Sequence, residues 1–175
     1  RFVIVVPMGM EDRVLEVLAI PRGNPLVPVR VIEADTPSAP ASVLWGLEEV
    51  GCPRRFMVAL GDCLCAGEFD FSALGGWMGI GTMEAESDFA RSYAVGAAED
   101  CKWGSEVVVQ TVVEKPRLGL GFYFLTWHAL THLEAAADMT DAMRRIVEAG
   151  FLVKPVPFSG KYVNCTYPED LLRWS

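Results

Sequence analysis

The most informative residues lie at the end of an apolar run, where Gly61 and Asp62 follow residues 56–60. This pattern is typical of a buried strand that carries a carboxylate at its C-terminal end. In an open α/β sheet, ligands bind beyond the carboxyl ends of the strands. A carboxylate at that place, next to a glycine that lets a ligand approach the backbone, suits a divalent metal ion and a phosphate. An N-capping or turn aspartate is equally consistent with this segment alone.

Three further segments carry side chains of related chemistry. Glu114 and Lys115 end a predicted strand, where a lysine can meet a phosphate and a glutamate can accept sugar hydroxyls, although such pairs more often lie in solvent. Asn164 precedes a predicted helix, and its amide oxygen either binds a hard cation or satisfies turn backbone. The small residues of segment 34–42 lead into another helix. There a flat base can approach the backbone and an anion the helix N-terminus, or the segment is an ordinary capped loop.

The elements that must position these residues alternate in the first half of the chain. Apolar, β-branched runs predict strands, and apolar residues at helical spacing predict helices. The predicted strands are residues 2–6, 27–32 and 56–60, and the predicted helices are residues 11–19 and 41–50. This β-α-β-α-β order, with short apolar strands, predicts a parallel and doubly covered sheet.

The second half of the chain predicts a mixed arrangement. Its predicted strands are residues 78–83, 107–114 and 121–125, and its predicted helices are residues 127–137 and 138–149. Residues 152–158 predict a final strand, which two prolines place at a sheet edge. Thr166 and Glu169 form a capping-box pattern that opens a predicted helix over residues 168–174. No linker or repeat divides the chain, so we expect a single domain over residues 1–175.

The composition excludes several classes of protein. The chain has 175 residues, of which 51% are hydrophobic, and a net charge of −8 without a basic cluster, so a nucleic-acid partner is not expected. It lacks an apolar stretch of about twenty residues, so no membrane span is predicted. Its five cysteines show no zinc-ribbon or redox CxxC spacing, and Cys63-Leu64-Cys65 is only a weak indication of metal binding, which favours free thiols and a cytoplasmic location. His128 and His132 lie four residues apart, but without an HExxH acid they indicate surface or packing residues.

The order of the segments resembles that of the sugar-phosphate nucleotidylyltransferases, also called nucleoside-diphosphate-sugar pyrophosphorylases. That family has, in order, T-x-G-small-small, an apolar strand ending in G/N-D, Y-G-V, E-K-P, G-x-Y-x-F, T-D-A and W-x-D-x-G-T-P-E-D-L. The corresponding segments here are residues 36–42, 60–62, 93–95, 114–116, 121–124, 140–142 and 162–171. The resemblance covers nearly the whole chain and implies an α/β nucleotidyltransferase-type fold. Its sheet would be mostly parallel and doubly wound, with a mixed second half.

The resemblance implies nucleotidyl transfer from a nucleoside triphosphate to a sugar 1-phosphate, with release of pyrophosphate. It implies that Asp62 and Lys115 are catalytic residues, and that Asp62 and Asn164 bind Mg²⁺. The substrates, or a nucleotide-sugar, would contact a larger set: Thr36, Ser38, Ala39, Ala41, Gly61, Glu114, Lys115, Gly121 and Tyr123.

The sequence departs from the family pattern at several positions. Asn164 replaces a carboxylate, Ser38 replaces the loop glycine, and Ala94 replaces the glycine of Y-G-V. An alternative function is therefore that of a catalytically degenerate relative, which binds a nucleotide or nucleotide-sugar or has a regulatory role. A metal-dependent glycosyltransferase is a third alternative. It is disfavoured because Asp62 is not followed by a second acid two residues later.

The opening of the family pattern has no counterpart in this sequence. The family begins with a strand and a glycine-rich loop, G-G-x-G-x-R, and residues 2–6 correspond to its second strand instead. A missing first strand predicts a gap or an uncovered sheet edge. We therefore expect that the domain is N-terminally incomplete, that the sheet closes without this strand, or that another element or chain, such as a second copy, covers the edge.

Overall fold

The computed structural model describes residues 2–18, 29–74, 78–84, 117–165 and 167–173. Their strands are β1 (Phe2–Val6), β2 (Val29–Glu33), β3 (Arg55–Ala59), β4 (Cys63–Phe69), β5 (Met78–Glu84), β6 (Arg117–Thr126) and β7 (Val153–Asn164). Their α-helices are α1 (Glu11–Val17), α2 (Ala39–Val50), α3 (Leu130–Glu134) and α4 (Met139–Glu148). Short 3₁₀ helices span Phe71–Ala73, Trp127–Ala129 and Pro168–Arg173.

The described strands form two sheets. β1 and β2 pair in parallel, and the other strands form a five-stranded sheet in the order β3-β6-β5-β7-β4. Within the larger sheet β5 and β7 are parallel, whereas β3 and β5 are antiparallel to β6, and β4 is antiparallel to β7. The fold class is therefore α/β with a mixed second half, as the sequence predicts.

Strand β3 does not continue the sheet of β1 and β2, which is where the β-α-β-α-β order places it. It pairs with β6 instead, and its register sets Phe56 opposite Leu125 and Val58 opposite Tyr123. Within the described part of the chain, β3 has no partner strand other than β6, and β1 has none other than β2. Among the described residues, β1 and β3 each have one edge without a partner strand, and the link of these edges to a missing first strand stays a prediction.

The faces of the five-stranded sheet carry separate cores, because side chains alternate along β6. Tyr123 and Leu125 lie in the helix-covered core together with Met143 and Ile146 of α4, both of which are fully buried. The core on the other face is built around β6 and β7 residues, namely Leu120, Phe122, Phe124, Val156 and Phe158. Both faces of β6 are thus buried, which explains why residues 120–125 form a nearly continuous apolar run.

Helix α2 packs against both sheets. A Cβ atom added to Gly46 would lie 3.2 Å from Val5 Cγ2, so the helix approaches β1 closely at this glycine. On the same helix, Val43 and Leu44 pack on the core under the larger sheet. In the described residues α2 therefore joins the two-stranded sheet to the rest of the molecule.

The last strand, β7, lies between β5 and β4 in the sheet order, but the segment for which an edge was predicted has β5 as its partner among the described strands until Phe158. Its prolines, Pro155 and Pro157, lie opposite Ile80 and Thr82 of β5, whereas the pairing with β4 begins only at Phe158. The prolines therefore occupy the half of β7 that has one partner strand. There a missing N–H removes no hydrogen bond to β4.

Other elements also differ from the prediction. Strand β4 was not predicted, since Cys63–Phe69 contains alanine, glycine and glutamate, which have weak strand propensity. Residues 127–137, predicted as one helix, begin as the 3₁₀ helix Trp127–Ala129 before α3. The three-residue spacing of their apolar side chains matches the 3₁₀ repeat better than the α-helical one. The predicted strand 107–114 lies outside the described residues.

The C-terminal segment forms a 3₁₀ helix over Pro168–Arg173 where an α-helix was predicted. The Asp170 N–H donates to the Tyr167 carbonyl at 3.0 Å, and the Asp170 carboxylate accepts from the Tyr167 N–H at 3.0 Å. These bonds close a four-residue turn, residues 167–170, at its start. Thr166 of the predicted capping box lies outside the described residues.

The described cysteines, Cys52, Cys63, Cys65 and Cys165, are free thiols, as predicted. Across the described ranges, no helix is both long and apolar enough to cross a membrane.

Candidate functional site

Asp62 lies in a tight turn between β3 and β4. The Leu60 N–H donates to the Gly121 carbonyl at 3.0 Å, and the Cys63 N–H donates to the Leu60 carbonyl at 3.2 Å. The first bond attaches the turn to β6, and the second closes the turn itself. Asp62 and Gly61 are exposed, and a Cβ atom added to Gly61 would have no neighbour within 4 Å. The surface at Gly61 is therefore open to a ligand.

Asn164 lies at the end of β7, next to this turn. In the antiparallel register of β4 and β7, Cys63 lies opposite Asn164. The Cys165 N–H donates to the Asp62 carbonyl at 2.6 Å, which extends the pairing by one residue. The structure therefore places the backbone of Asp62, just before β4, beside the end of β7, one position beyond Asn164, although Asp62 and Asn164 are far apart in the sequence.

The Cys63 thiol lies between two polar groups at this position. Its Sγ atom donates to Asp62 Oδ1 at 3.4 Å and lies 3.5 Å from the Tyr162 hydroxyl. The pKa of the Cys63 thiol is raised to about 12, mainly by burial; the bond to Tyr162 opposes this rise, and the charge of Asp62 contributes to it. The thiol therefore stays protonated at neutral pH and can act as a donor to the carboxylate.

Gly121 makes room for this thiol. Its φ angle is +71°, and a Cβ atom added there would lie 2.5 Å from Cys63 Sγ. In this structure the space left by the missing side chain is thus filled by the Cys63 thiol and Leu60. The close approach of a substrate to Gly121 stays a prediction.

Tyr123 follows Gly121 on β6 and is buried, with 9% of its surface exposed. It lies between Val58 of β3 and Ile80 of β5 in the helix-covered core. Burial raises the pKa of its hydroxyl, with smaller contributions from the charges of nearby Cys63, Asp138 and Asp62. The structure therefore places this predicted substrate-binding residue in the core, and its contact with a substrate is untested.

The loop after β2 is organised by its own hydroxyl groups. The Ala41 N–H donates to Ser38 Oγ at 3.4 Å, so Ser38 caps α2. The hydroxyls of Thr36 and Ser42 bond to each other, and Ser42 Oγ also donates to the Ser38 carbonyl at 3.2 Å. Ala39 is exposed, and Ala41 is half-buried. The loop is therefore capped, as expected for an ordinary loop between a strand and a helix. The binding of a base by its small residues stays a prediction.

Acidic residues near the end of β2 bind the loop that follows β1. The Glu11 N–H donates to Glu33 Oε1 at 2.8 Å, and the Met8 N–H donates to Asp35 Oδ1 at 3.3 Å. The N-terminal end of α1 thus faces carboxylates of this chain. A phosphate at these two amides would have to displace them.

Several predicted site residues cannot be placed. Glu114, Lys115 and residues 93–95 lie outside the described residues. The T-D-A segment is described and lies at the start of α4. There the Asp141 carboxylate binds Arg144 and Arg145 of the same helix. Asp141 is therefore engaged in a local ion-pair network.

The donors at Asp62 and Asn164 fit a hard cation of the Mg²⁺ type. Mg²⁺ typically takes one or two protein oxygens and completes its shell with water and substrate phosphates. An exposed carboxylate beside an amide-bearing residue meets this requirement. Within the described ranges, no group of three or more His, Cys, Asp or Glu side chains could hold a metal ion. Substrate oxygens would thus have to supply the remaining ligands.

Sequence comparison finds no relative: no family model matches this chain, and no curated protein matches it significantly. Solved structures do match. The inositol-1-phosphate CTP transferase from T. maritima superposes with a TM-score of 0.69 at 19% identity, over 97% of this chain and 71% of that one. The chain has the fold of the sugar-phosphate nucleotidyltransferases. The predicted resemblance is thereby confirmed at the level of the fold.

Two other nucleotidyltransferases of this fold were solved with nucleotides. A UDP-glucose pyrophosphorylase complexed with UDP-glucose matches with a TM-score of 0.64 at 19% identity, over 83% of this chain and 63% of its own. The UTP-bound UGPase from Acinetobacter baumannii matches with a TM-score of 0.64 at 21% identity, over 93% and 63%. The present chain thus spans less than two thirds of the length of these two nucleotidyltransferases.

Sequence reasoning missed Cys63, which contacts Asp62, and Tyr162, which contacts Cys63. The available signal was the alternation in Cys63-Leu64-Cys65, which places both thiols on one face of a strand. Because β4 was not predicted, that face could not be matched with Tyr162 and Asn164 of β7.

Proposed function

We propose that this domain supports nucleotidyl transfer from a nucleoside triphosphate to a sugar 1-phosphate. The observation that carries the proposal is the adjacency of Asp62 and Asn164 at the ends of neighbouring strands, in a chain with the nucleotidyltransferase fold. Both are the residues that the sequence resemblance assigns to metal binding. The exposed turn at Gly61 leaves room for substrate beside them.

In this reaction a phosphate oxygen of the sugar 1-phosphate attacks the α-phosphorus of the nucleoside triphosphate. A new P–O bond forms, the bond between the α-phosphorus and the bridging oxygen breaks, and pyrophosphate leaves with that oxygen. Mg²⁺, when bound, neutralises phosphate charge. Asp62 and Asn164 would hold it at the strand ends and so orient the α-phosphate.

The remaining roles follow the resemblance. Residues 36–41 would lie against the base, and Glu114 would contact the sugar. Lys115 would bind its phosphate as a point charge. The protein would contribute positioning and charge neutralisation rather than covalent chemistry.

Pyrophosphate release tests the proposal. The assay would use Mg²⁺, each of the four ribonucleoside triphosphates and dTTP, and several sugar 1-phosphates. We expect release with at least one pair and a loss of at least about a hundredfold in Asp62→Asn, since this removes the charged oxygen donor. Asp12→Asn, an exposed carboxylate on α1, is the matched control and should keep full activity. If the wild-type protein released no pyrophosphate with any pair of substrates, the proposal would be refuted for this chain.

One observation favours a second candidate function, that of a non-catalytic relative. Asn164 carries a neutral amide where the family pattern has a carboxylate, so the site has one negative charge fewer for a metal–triphosphate complex. Calorimetry with UTP, CTP and UDP-glucose distinguishes the two functions. Binding without turnover, together with turnover gained in Asn164→Asp, would favour the non-catalytic relative.

A further inference from the structure

Cys63 contacts both Asp62 and β7. Its thiol donates to Asp62 Oδ1 at 3.4 Å, and its Sγ lies 3.5 Å from the Tyr162 hydroxyl. In the ladder between β4 and β7, Cys63 lies opposite Asn164, and Cys65 lies opposite Tyr162. Because the Cys63 thiol donates its proton to the Asp62 carboxylate, the bond between Cys63 and Tyr162 has the Tyr162 hydroxyl as its donor and Sγ as its acceptor.

The thiol is held in place by its surroundings. Gly121 supplies the space, since any side chain there would meet Sγ, and Leu60 of the same turn lines the other wall. Cys63 is half-buried and packs on the core formed by Leu120, Phe122 and the β7 residues. The donor is therefore fixed, whereas the Asp62 carboxylate that it contacts is on an exposed turn.

We propose that Cys63 is a positioning residue that holds the Asp62 carboxylate in its metal-binding orientation through an S–H···O bond. An exposed aspartate otherwise samples several rotamers, and a fixed donor to one oxygen leaves the other oxygen directed outward. Partners of this kind orient a metal ligand without touching the metal. The inference rests on the proposed function only for the statement that Asp62 is a metal ligand.

Mn²⁺ binding measured by electron paramagnetic resonance tests this role without requiring turnover. The probes are Mn²⁺ alone and Mn²⁺ with UTP, on the full chain. In the Cys63→Ala variant we expect Mn²⁺ affinity to fall about tenfold, the lower end of what the loss of such a partner costs. Cys63→Ser, which keeps a donor at the same position, should recover most of this loss.

Cys65→Ala is the matched control, because it removes a half-buried thiol from the same face of β4 at a position two residues farther from Asp62. It should bind Mn²⁺ as the wild type does. Thermal unfolding of all variants shows whether each is folded at the temperature of the titration.

Three results would overturn the inference: wild-type affinity in a folded Cys63→Ala, equal loss in the Ser and Ala variants, or no Mn²⁺ binding by the wild type under either condition. Failure of the proposed function looks different. In that case pyrophosphate release is absent, but the Mn²⁺ affinities still separate Cys63→Ala from Cys63→Ser.

Discussion

At the scale of single residues, the turn at Asp62 depends on a glycine that is distant in sequence. Gly121 has a left-handed backbone, and Cys63 Sγ lies only 2.5 Å from where a Cβ atom of residue 121 would be. Gly61, next to Asp62 itself, has neither constraint in this structure. The two glycines therefore have different physical roles, which the sequence alone does not reveal.

Replacing Gly121 with alanine should destabilise the protein by about 2 kcal/mol or more. The left-handed conformation alone costs a non-glycine residue roughly 1–2 kcal/mol, and the displaced thiol adds to this. Urea unfolding of the two proteins measures the difference. Gly61→Ala is the control and should stay within about 0.5 kcal/mol of the wild type. Equal stability of the two variants would show that Cys63 moves aside at little cost.

At the scale of elements, α4 is fixed at its first turn by two carboxylates, those of Asp138 and Asp141. Asp138 caps the helix by accepting from the Asp141 N–H at 2.8 Å. The Asp141 carboxylate accepts from the Ala137 N–H at 3.1 Å and binds the side chains of Arg144 and Arg145. The bond from Arg145 is the largest cause that lowers the pKa of Asp141 from 3.8 to about 2, and the bond from Ala137 is the next.

This shift predicts acid sensitivity of α4. A carboxylate whose pKa is lower in the folded state stabilises the fold above its unfolded pKa, and this contribution is lost as pH falls through the folded value. Stability should therefore decline between about pH 4 and pH 2, and Asp141→Asn should show a shallower decline there. Denaturant midpoints measured from pH 5 to pH 2 check this. Glu16→Gln, at an exposed position of α1, should follow the wild-type curve, and a curve for Asp141→Asn that runs parallel to the wild-type curve would contradict the assignment.

The elements also show what the sequence could and could not predict. Helices α2 and α4 were predicted because each carries an apolar face, and their N-terminal residues, Ser38 and Asp138, cap them locally. Strand β4 was missed because its residues favour no strand on their own, and it forms by pairing with β7. The proximity of Asp62 and Asn164 followed from the family resemblance, whereas the contact with Cys63 required the register of β4.

At the scale of the whole molecule, α2 is the element that holds the two sheets together in the described residues. Its Gly46 faces Val3 and Val5 of β1, while Val43 and Leu44 of the same helix pack on the larger core. Among the described elements, α2 therefore connects the sheet of β1 and β2 to the rest of the fold.

A larger side chain at position 46 should therefore destabilise the sheet of β1 and β2 more than the five-stranded sheet. In Gly46→Val, the Cβ atom alone would lie 3.2 Å from Val5 Cγ2, and the added methyl groups increase the overlap. Hydrogen exchange should accelerate in β1 and β2 by about tenfold and change less in β5, β6 and β7. Glu48→Val, at an exposed position of α2, controls for the introduction of a β-branched side chain into this helix. Equal acceleration of hydrogen exchange in both sheets would contradict this expectation.

In the part of the chain that the structure describes, β1 and β3 each keep one edge without a partner strand, and this has a practical consequence for sample handling. A bare strand edge offers backbone donors and acceptors to any extended peptide, including a neighbouring molecule in a concentrated solution. Met57 adds an exposed apolar side chain on β3, with 52% of its surface accessible. Samples should therefore cloud or sediment as concentration rises, and ligand titrations belong in the dilute range where light scattering stays flat.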